Sequence, residues 1–256
     1  MMADDAARRA TLAQTFDHYA AMLANVANIG ATWDARDLYW VLEQVTQATL
    51  DAHPDFLCRV GCVYCCYGDS IPIVTSAEWR LLYQHLVDLP DGIRRLIVRQ
   101  VKEQWAPHLV ALLPGKAGYQ DERGEMHILP KAVAETIHCP LLAYNKCSVY
   151  LTRPFACRTY GHFTRQYPQS SSYFMCGHAS EHIERTFPED AALPVINGFE
   201  AKLAELEGSP PVLAMLPLWV AAHIEGMDFS QVCNLQPDFA AVAQRFQTAT
   251  SPPRRL

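Results

Sequence analysis

Eight of the nine cysteines in this chain fall into two groups, and their spacing is the strongest chemical signal in the sequence. The first group is the dense run Cys58-x-x-x-Cys62-x-x-Cys65-Cys66. The second group is looser and consists of Cys139, Cys147, Cys157 and Cys176. Thiolates are preferred protein ligands of zinc and of iron–sulfur clusters, and two sets of four match one or two such centres. We therefore predict that all eight cysteines bind metal.

The spacing alone does not say which cysteines share a centre. Cys65 and Cys66 are adjacent, so their side chains point in different directions and seldom fill one tetrahedral site together. We assign the core ligands to Cys58, Cys62, Cys65 and Cys157. The remaining four, which are assigned to a second site or complete the first, are Cys66, Cys139, Cys147 and Cys176. Cys233 stands alone and is interpreted as a buried cysteine of the core.

Two arginines flank one of the predicted ligands in the unit Arg153-Pro-x-x-Cys157-Arg158. A thiolate–metal centre is often anionic, so nearby cations stabilise it. We predict that Arg153 and Arg158 contribute to cofactor binding by donating hydrogen bonds to cluster sulfurs, or that they donate them to an acidic partner. The alternative is that they form ordinary surface ion pairs, which are common and weak.

The composition indicates a globular protein that does not need disulfides to fold. Half of the 256 residues are hydrophobic and 19% are charged. The chain starts MMADDAARRATLAQTF, without the apolar core of a signal peptide. We therefore expect a cytoplasmic protein, where thiols stay reduced and are able to bind metal.

Charge and hydropathy narrow the range of partners. The net charge of −6 argues against nucleic-acid binding. The longest apolar run, 212–224, contains Pro217 and is shorter than the roughly 20 residues of a membrane span, so we expect a buried helix there and no membrane contact. A protein partner, such as an acceptor of delivered metal, is left open.

The elements that must position the cysteines are mostly helical. Apolar residues recur at steps of three and four, and Thr75-x-x-Glu78 is a capping-box pattern that opens a helix. Between residues 139 and 150 the pattern favours a short β-hairpin. The predicted helices cover 3–29, 35–53, 75–89, 91–109, 178–187, 195–207, 211–225 and 237–248. We predict a mainly α single domain over 1–256, in which 55–180 is the metal-binding core and 1–54 and 181–256 are helical flanks.

The combined pattern resembles the CxxCxxCC (YkgJ-like) cysteine-cluster family, described as zinc- or iron-chelating proteins. The resemblance rests on the first run together with Cys139-Pro-Leu-Leu, Cys147-Ser-Val-Tyr and Arg153-Pro-x-x-Cys157-Arg-x-Tyr160, and it covers about residues 55–180. The gap after Cys58 has three residues where the family name has two. The resemblance implies a metal site but no particular reaction.

Two related patterns bear on the identity of the metal. The cysteine pattern is distantly similar to that of flagellin lysine N-methylase, which is associated with an iron–sulfur cluster and S-adenosylmethionine. The stretch Cys58-x-x-x-Cys62-x-Tyr64-Cys65 also has the spacing of the radical S-adenosylmethionine motif. That motif belongs to a βα barrel, whereas here a helix precedes it and no repeating strand–helix units follow.

Zinc and iron–sulfur are both compatible with the thiols, and we favour an iron–sulfur cluster of the 4Fe–4S type. Structural zinc sites often use two Cys-x-x-Cys steps, and this chain has one, Cys62-x-x-Cys65. Iron–sulfur centres combine such a step with distant cysteines. The alternatives are a zinc-binding structural or metal-delivery module and a thiol redox switch without metal.

Overall fold

The structure is a computed structural model that describes residues 2–53, 56–58, 61–116, 119–120, 126–186, 193–208 and 210–250. The described residues are mainly helical, which confirms the predicted fold class. The α-helices are α1 (Met2–Met22), α2 (Leu38–Ala52), α3 (Ser76–Val87), α4 (Asp91–Gln100), α5 (Lys131–Ala134), α6 (Phe155–Thr159), α7 (Gly177–Thr186), α8 (Asn197–Glu207), α9 (Leu216–Ala222) and α10 (Phe239–Thr250).

The strands are short and pair in antiparallel couples: β1 with β8, β2 with β3, β4 with β5, β6 with β7, and β9 with β10. Their bounds are β1 (Ile73–Thr75), β2 (Tyr119–Gln120), β3 (Met126–His127), β4 (Leu142–Ala143), β5 (Lys146–Cys147), β6 (Phe163–Tyr167), β7 (Ser170–Phe174), β8 (Leu213–Met215), β9 (Ile224–Glu225) and β10 (Asp228–Phe229). In the described part of the chain, no helix is both long enough and apolar enough to cross a membrane.

The chain forms two compact units, each made of two separate stretches. The first unit comprises Met1–Cys62 and Phe155–Pro210, and the second comprises Val63–Pro154 and Pro211–Leu256. Each unit has its own cluster of buried apolar side chains. The single domain over 1–256, with its metal-binding core at 55–180, stays a prediction.

In the first unit, a buried carboxylate fixes the loop that leads into α2. The Asp37 side chain is fully buried and also caps α2. Its two oxygens accept hydrogen bonds of 2.7 to 3.0 Å from the backbone N–H groups of Gly30, Thr32, Trp33 and Tyr39. These contacts hold Trp33 in the left-handed region, with φ of 52°. Helix α2 then packs against α1, α6 and α8.

The first unit also contains the β6–β7 hairpin, which the sequence patterns did not predict. Its register runs from Phe163 opposite Phe174 to Tyr167 opposite Ser170, so the turn is Pro168-Gln169. Val195 adds a parallel bridge to Thr164. The sequence signal for this hairpin was a turn containing proline between two segments in which polar and apolar residues alternate. The run of serines in the second segment obscured that alternation.

The second unit is built on the predicted capping box. The Thr75 hydroxyl accepts from the Glu78 N–H, and the Glu78 carboxylate accepts from the Thr75 N–H. Strand β1 leads into α3, and helix α4 continues through a π-helical turn (Val101–Trp105) into a 3-10 helix (Ala106–Leu112). The indole rings of Trp79 and Trp219 stack at 5.6 Å in the core of this unit.

Two predictions for the second unit need correction or qualification. The run 211–225 is not one helix, because Leu213–Met215 forms β8 against β1, and Pro217 lies in the first turn of the short α9. Residues 224–229 then turn back as the β9–β10 hairpin.

Cys233 is half-buried at the edge of the core instead of fully buried. The predicted β-hairpin between residues 139 and 150 is confirmed as β4–β5.

Candidate metal centre

The boundaries between the two units divide the eight clustered cysteines four and four. The first unit contains Cys58, Cys62, Cys157 and Cys176. The second unit contains Cys65, Cys66, Cys139 and Cys147. This grouping differs from the one inferred from spacing, which placed Cys65 with Cys58 and placed Cys176 with Cys66. All nine cysteines lie in the described part of the chain, and no disulfide joins any two of them.

In the second unit, backbone hydrogen bonds bring the two cysteine groups together. Cys65 and Cys66 lie in a 3-10 turn, Tyr64–Cys66. The Cys139 N–H donates to the Cys66 carbonyl at 2.6 Å, and Tyr67 forms an antiparallel bridge with His138. The end of the first cysteine run is therefore paired directly with the start of the second group, although about 70 residues separate them.

The rest of the second unit holds this junction in place. The Trp105 indole N–H donates to the His138 carbonyl at 2.9 Å. The Gln100 side-chain amide donates to the Leu142 carbonyl, also at 2.9 Å, and Leu142 is the strand partner of Cys147. Cys139 belongs to the buried core of the unit, and Cys66 and Cys147 pack against that core.

The thiols of the second unit differ in acidity. A hydrogen bond from Cys66, assisted by the positive charge of Arg153, lowers the pKa of the Cys65 thiol to about 7 although burial opposes the change. Burial raises the pKa of Cys139, and the negative charges of Cys147 and Cys65 raise it further. Cys139 therefore becomes a thiolate only where a compensating positive charge is supplied.

In the first unit, Cys58 lies against a glycine that the sequence patterns did not single out. A Cβ placed on Gly161 would be 2.4 Å from Cys58 Sγ and 2.9 Å from Cys58 Cβ, so only glycine permits this approach. Gly161 has φ of 101°, and its N–H donates to the Phe174 carbonyl. The only sequence signal for this contact was a glycine four residues after Cys157.

A histidine and a small apolar cluster complete the surroundings of Cys58. His162 Nε2 is 2.9 Å from the Cys58 carbonyl oxygen, and the His162 ring stacks on Phe56 at 5.7 Å. Cys58 and Cys176 pack against the same buried cluster, which is formed by Phe56, Met175, Ala179, Ile183 and Leu193. Two ligand candidates from opposite ends of the cysteine pattern thus share one small core.

The two predicted cofactor-binding arginines are buried and contact aromatic rings. Arg158 is 2% exposed, with its guanidinium 4.2 Å from the Tyr39 ring centroid and 3.4 Å from the Glu43 carboxylate. Arg153 lies 3.9 Å over the Tyr150 ring and is the cation that acts on Cys65. Arg158 is therefore held by α2 on one side, and its hydrogen bonding to a cluster stays a prediction.

The thiols fit a soft metal in kind and number, although they do not form a closed site. Among the residues that the structure describes, no three His, Cys, Asp or Glu side chains are arranged to hold a metal ion. Each unit nevertheless contains four thiols, and Cys58 Sγ occupies the space that a side chain at position 161 would take. Binding would require the thiols to draw together, as when metal binding is coupled to folding.

Comparison with protein-family models, curated proteins and solved structures found no match to this chain. The resemblance to the cysteine-cluster family accordingly stays a prediction that rests on the motifs.

Proposed function

We propose that this chain is a cytoplasmic metal-binding protein that carries an iron–sulfur centre, and that the centre has a redox or electron-transfer role or a cluster-dependent catalytic role. The observation that carries the proposal is the hydrogen bond between Cys139 and Cys66, which joins the two cysteine groups. Four thiols that a chain brings into one compact unit without disulfides are typical of metal ligands in a reducing compartment.

Iron–sulfur is favoured over zinc because the second unit combines adjacent cysteines with distant ones. Two adjacent thiolates seldom bind a single tetrahedral ion, whereas in a cluster each iron takes its own cysteine. The bound cluster would supply one-electron transfer. The residues of the chain would exclude water, since Cys139 is buried, and Arg153 would balance part of the negative charge near Cys65.

The decisive experiment is analysis of the full-length chain purified without oxygen. We expect brown protein that contains iron and acid-labile sulfide in equal amounts, as in cubane clusters. A Cys233→Ser variant is the matched control, because Cys233 stands apart from the eight clustered cysteines and should leave the iron content unchanged. Protein that stays colourless after anaerobic reconstitution with iron and sulfide would contradict the proposal.

The same preparation tests the zinc alternative. A structural or metal-delivery module would contain zinc and no sulfide. If a chelator removes the zinc and the helices melt, the metal has a structural role. If the fold survives and the zinc passes to an acceptor protein, delivery is supported. Reduced protein that contains no metal and forms reversible disulfides on mild oxidation would instead indicate a thiol switch.

A further inference from the structure

We infer that His223 is a pH-sensitive switch for the 230–236 segment, which connects β10 to α10 in the second unit. The neutral imidazole holds this segment against the core of the unit. Protonation of the ring releases the segment and uncovers the Cys233 thiol. None of the eight clustered cysteines lies in the segment, so the inference does not depend on the proposed metal-binding function.

The hydrogen bonds of the His223 ring decide which of its nitrogens carries the proton. Nε2 accepts from the Asn234 backbone N–H at 3.0 Å and from the Trp79 indole N–H at 3.3 Å. Nδ1 is 2.9 Å from the Trp219 carbonyl oxygen, which is an acceptor, so the single proton of the neutral ring lies on Nδ1. A second proton would go onto Nε2, where it would face two N–H groups that now donate to that atom.

The two ends of the segment are held in different ways. At its start, the Ser230 N–H donates to the His223 carbonyl at 2.8 Å, and the Tyr83 hydroxyl donates to the Ser230 carbonyl at 2.5 Å. Neither bond involves a ring nitrogen, so neither is altered by protonation. Further along, the bond from Asn234 goes to Nε2 itself. Protonation therefore frees 231–236 while the start of the segment stays attached.

The segment has irregular structure, and two of its hydrogen bonds are internal to it. The Val232 N–H donates to Ser230 Oγ at 3.1 Å, and the Gln236 N–H donates to Asn234 Oδ1 at 3.0 Å. Such bonds shape the segment but do not attach it to the rest of the unit. Cys233 packs against the core in the closed state, so movement of the segment changes the exposure of this thiol.

The surroundings of His223 oppose a positive charge on the ring. His223 is 1% exposed, and its ring lies 4.6 Å from that of Tyr83 and 5.1 Å from that of Trp79. Burial lowers the pKa of His223, and the hydrogen bonds with Trp219 and Asn234 offset this in part. The closed state therefore favours the neutral ring.

The other titratable and charged groups near His223 belong to five elements packed around it. They are Tyr83 and Arg80 on α3, Lys102 in the π-helical turn, Glu225 and Asp228 in the β9–β10 hairpin, Cys233 in the segment, and Arg245 on α10. Burial raises the pKa of Tyr83 and of Cys233, so both stay neutral below pH 7. Hydrogen bonding from Arg94 lowers the pKa of Asp228, so this carboxylate stays ionised at pH 5.

The sign of the pH effect follows from the two states of the ring. In the open state His223 reaches water and takes up a proton with the ordinary pKa of about 6.5. In the closed state its pKa is lower. As the pH falls below about 6.5, the equilibrium therefore shifts toward the open state by up to about tenfold per pH unit, and above that pH the segment stays closed.

Hydrogen exchange of the full-length, reduced protein tests the switch, after correction for the intrinsic effect of pH on exchange. Between pH 7 and pH 5 we expect the protection of 231–236 to fall about tenfold while α3 keeps its protection. His223→Gln, whose amide does not titrate, should abolish this pH dependence. His85→Gln is the matched control, because His85 lies on α3 and is not among the residues that bond to or stack on the His223 ring.

Three results would overturn the inference. They are protection of 231–236 that does not change down to pH 5, protection that is lost only together with that of α3, and a pH dependence that persists in His223→Gln. Loss of the pH dependence in His85→Gln would assign the effect to the wrong histidine and would count against it equally.

Alkylation of Cys233 provides a second measurement on the unaltered protein. The rate at Cys233, mapped by mass spectrometry, is divided at each pH by the rate of a free cysteine peptide, which corrects for titration of the thiol. We expect this ratio to rise about tenfold between pH 7 and pH 5. A constant ratio would contradict release of the segment and would leave the proposed metal binding untouched.

Discussion

Replacing Gly161 with alanine should destabilise the protein much more than the same replacement at a glycine that has a similar positive φ but no neighbouring atoms. Gly161 has φ of 101°, where a Cβ costs about 1–2 kcal/mol. The new Cβ would also overlap Cys58 Sγ at 2.4 Å and Cys58 Cβ at 2.9 Å. Rotating the Cys58 side chain moves Sγ but not Cβ, so the backbone must shift, which adds about 1–3 kcal/mol.

Gly61 is the matched control for this substitution. It also lies in the first unit, has φ of 94°, and has no atom within 4 Å of a built Cβ. Gly61→Ala should therefore cost only the backbone strain, and the two variants should differ by about 1–3 kcal/mol in the free energy of unfolding. Adding Cys58→Ala to Gly161→Ala removes the shorter of the two overlaps and should recover part of the loss.

The assay is urea unfolding of reduced, metal-free protein, followed by circular dichroism and by hydrogen exchange in peptides from the first unit. If Gly161→Ala is no less stable than Gly61→Ala, the close approach of Cys58 to Gly161 is not present in solution.

Three further substitutions test contacts that stabilise the two compact units. Asp37→Asn leaves the part-buried N–H groups of Thr32 and Trp33 facing an amide instead of a carboxylate and should cost about 2–4 kcal/mol in urea unfolding. Asp34→Asn, whose carboxylate forms an exposed ion pair with Arg36, should cost under about 1 kcal/mol. Thr75→Ala removes the capping-box acceptor and should lower the free energy of unfolding by about 1 kcal/mol, measured by thermal and urea unfolding. Burial lowers the pKa of His223. As the pH falls, the His223 imidazole therefore stays neutral in the folded protein after it has taken up a proton in the unfolded chain. Stability should therefore fall below about pH 6.5 by up to about 1.4 kcal/mol per pH unit, and His223→Gln should remove this part of the slope; an unchanged slope would refute the reasoning.

The elements that the sequence predicted well are those whose signals are local. The capping box at Thr75 and Glu78 needs only four residues, and the structure forms it. The β4–β5 hairpin turns at Tyr144 and Asn145, both with positive φ, and asparagine tolerates that conformation well. Neither feature depends on residues far away in the chain, so spacing and residue type suffice.

The elements that the sequence did not predict depend on distant partners. Strand β8 exists because Met215 and Leu213 pair with Ile73 and Thr75, about 140 residues earlier in the chain. The same apolar run is compatible with a buried helix until this partner is known, since periodicity cannot separate the two for short runs. Pro217 was the local clue that the helix had to begin there.

The cysteines follow the same logic, because residue type predicts ligand chemistry but not which ligands share a centre. Cys62 and Cys65 are three positions apart, yet the chain passes from the first unit to the second between them. Cys66 and Cys139 are far apart in sequence, yet a backbone hydrogen bond joins them. A Cys-x-x-Cys step is ordinarily taken as two ligands of one metal. Here the two cysteines of that step lie in different compact units, which their spacing in the sequence could not show.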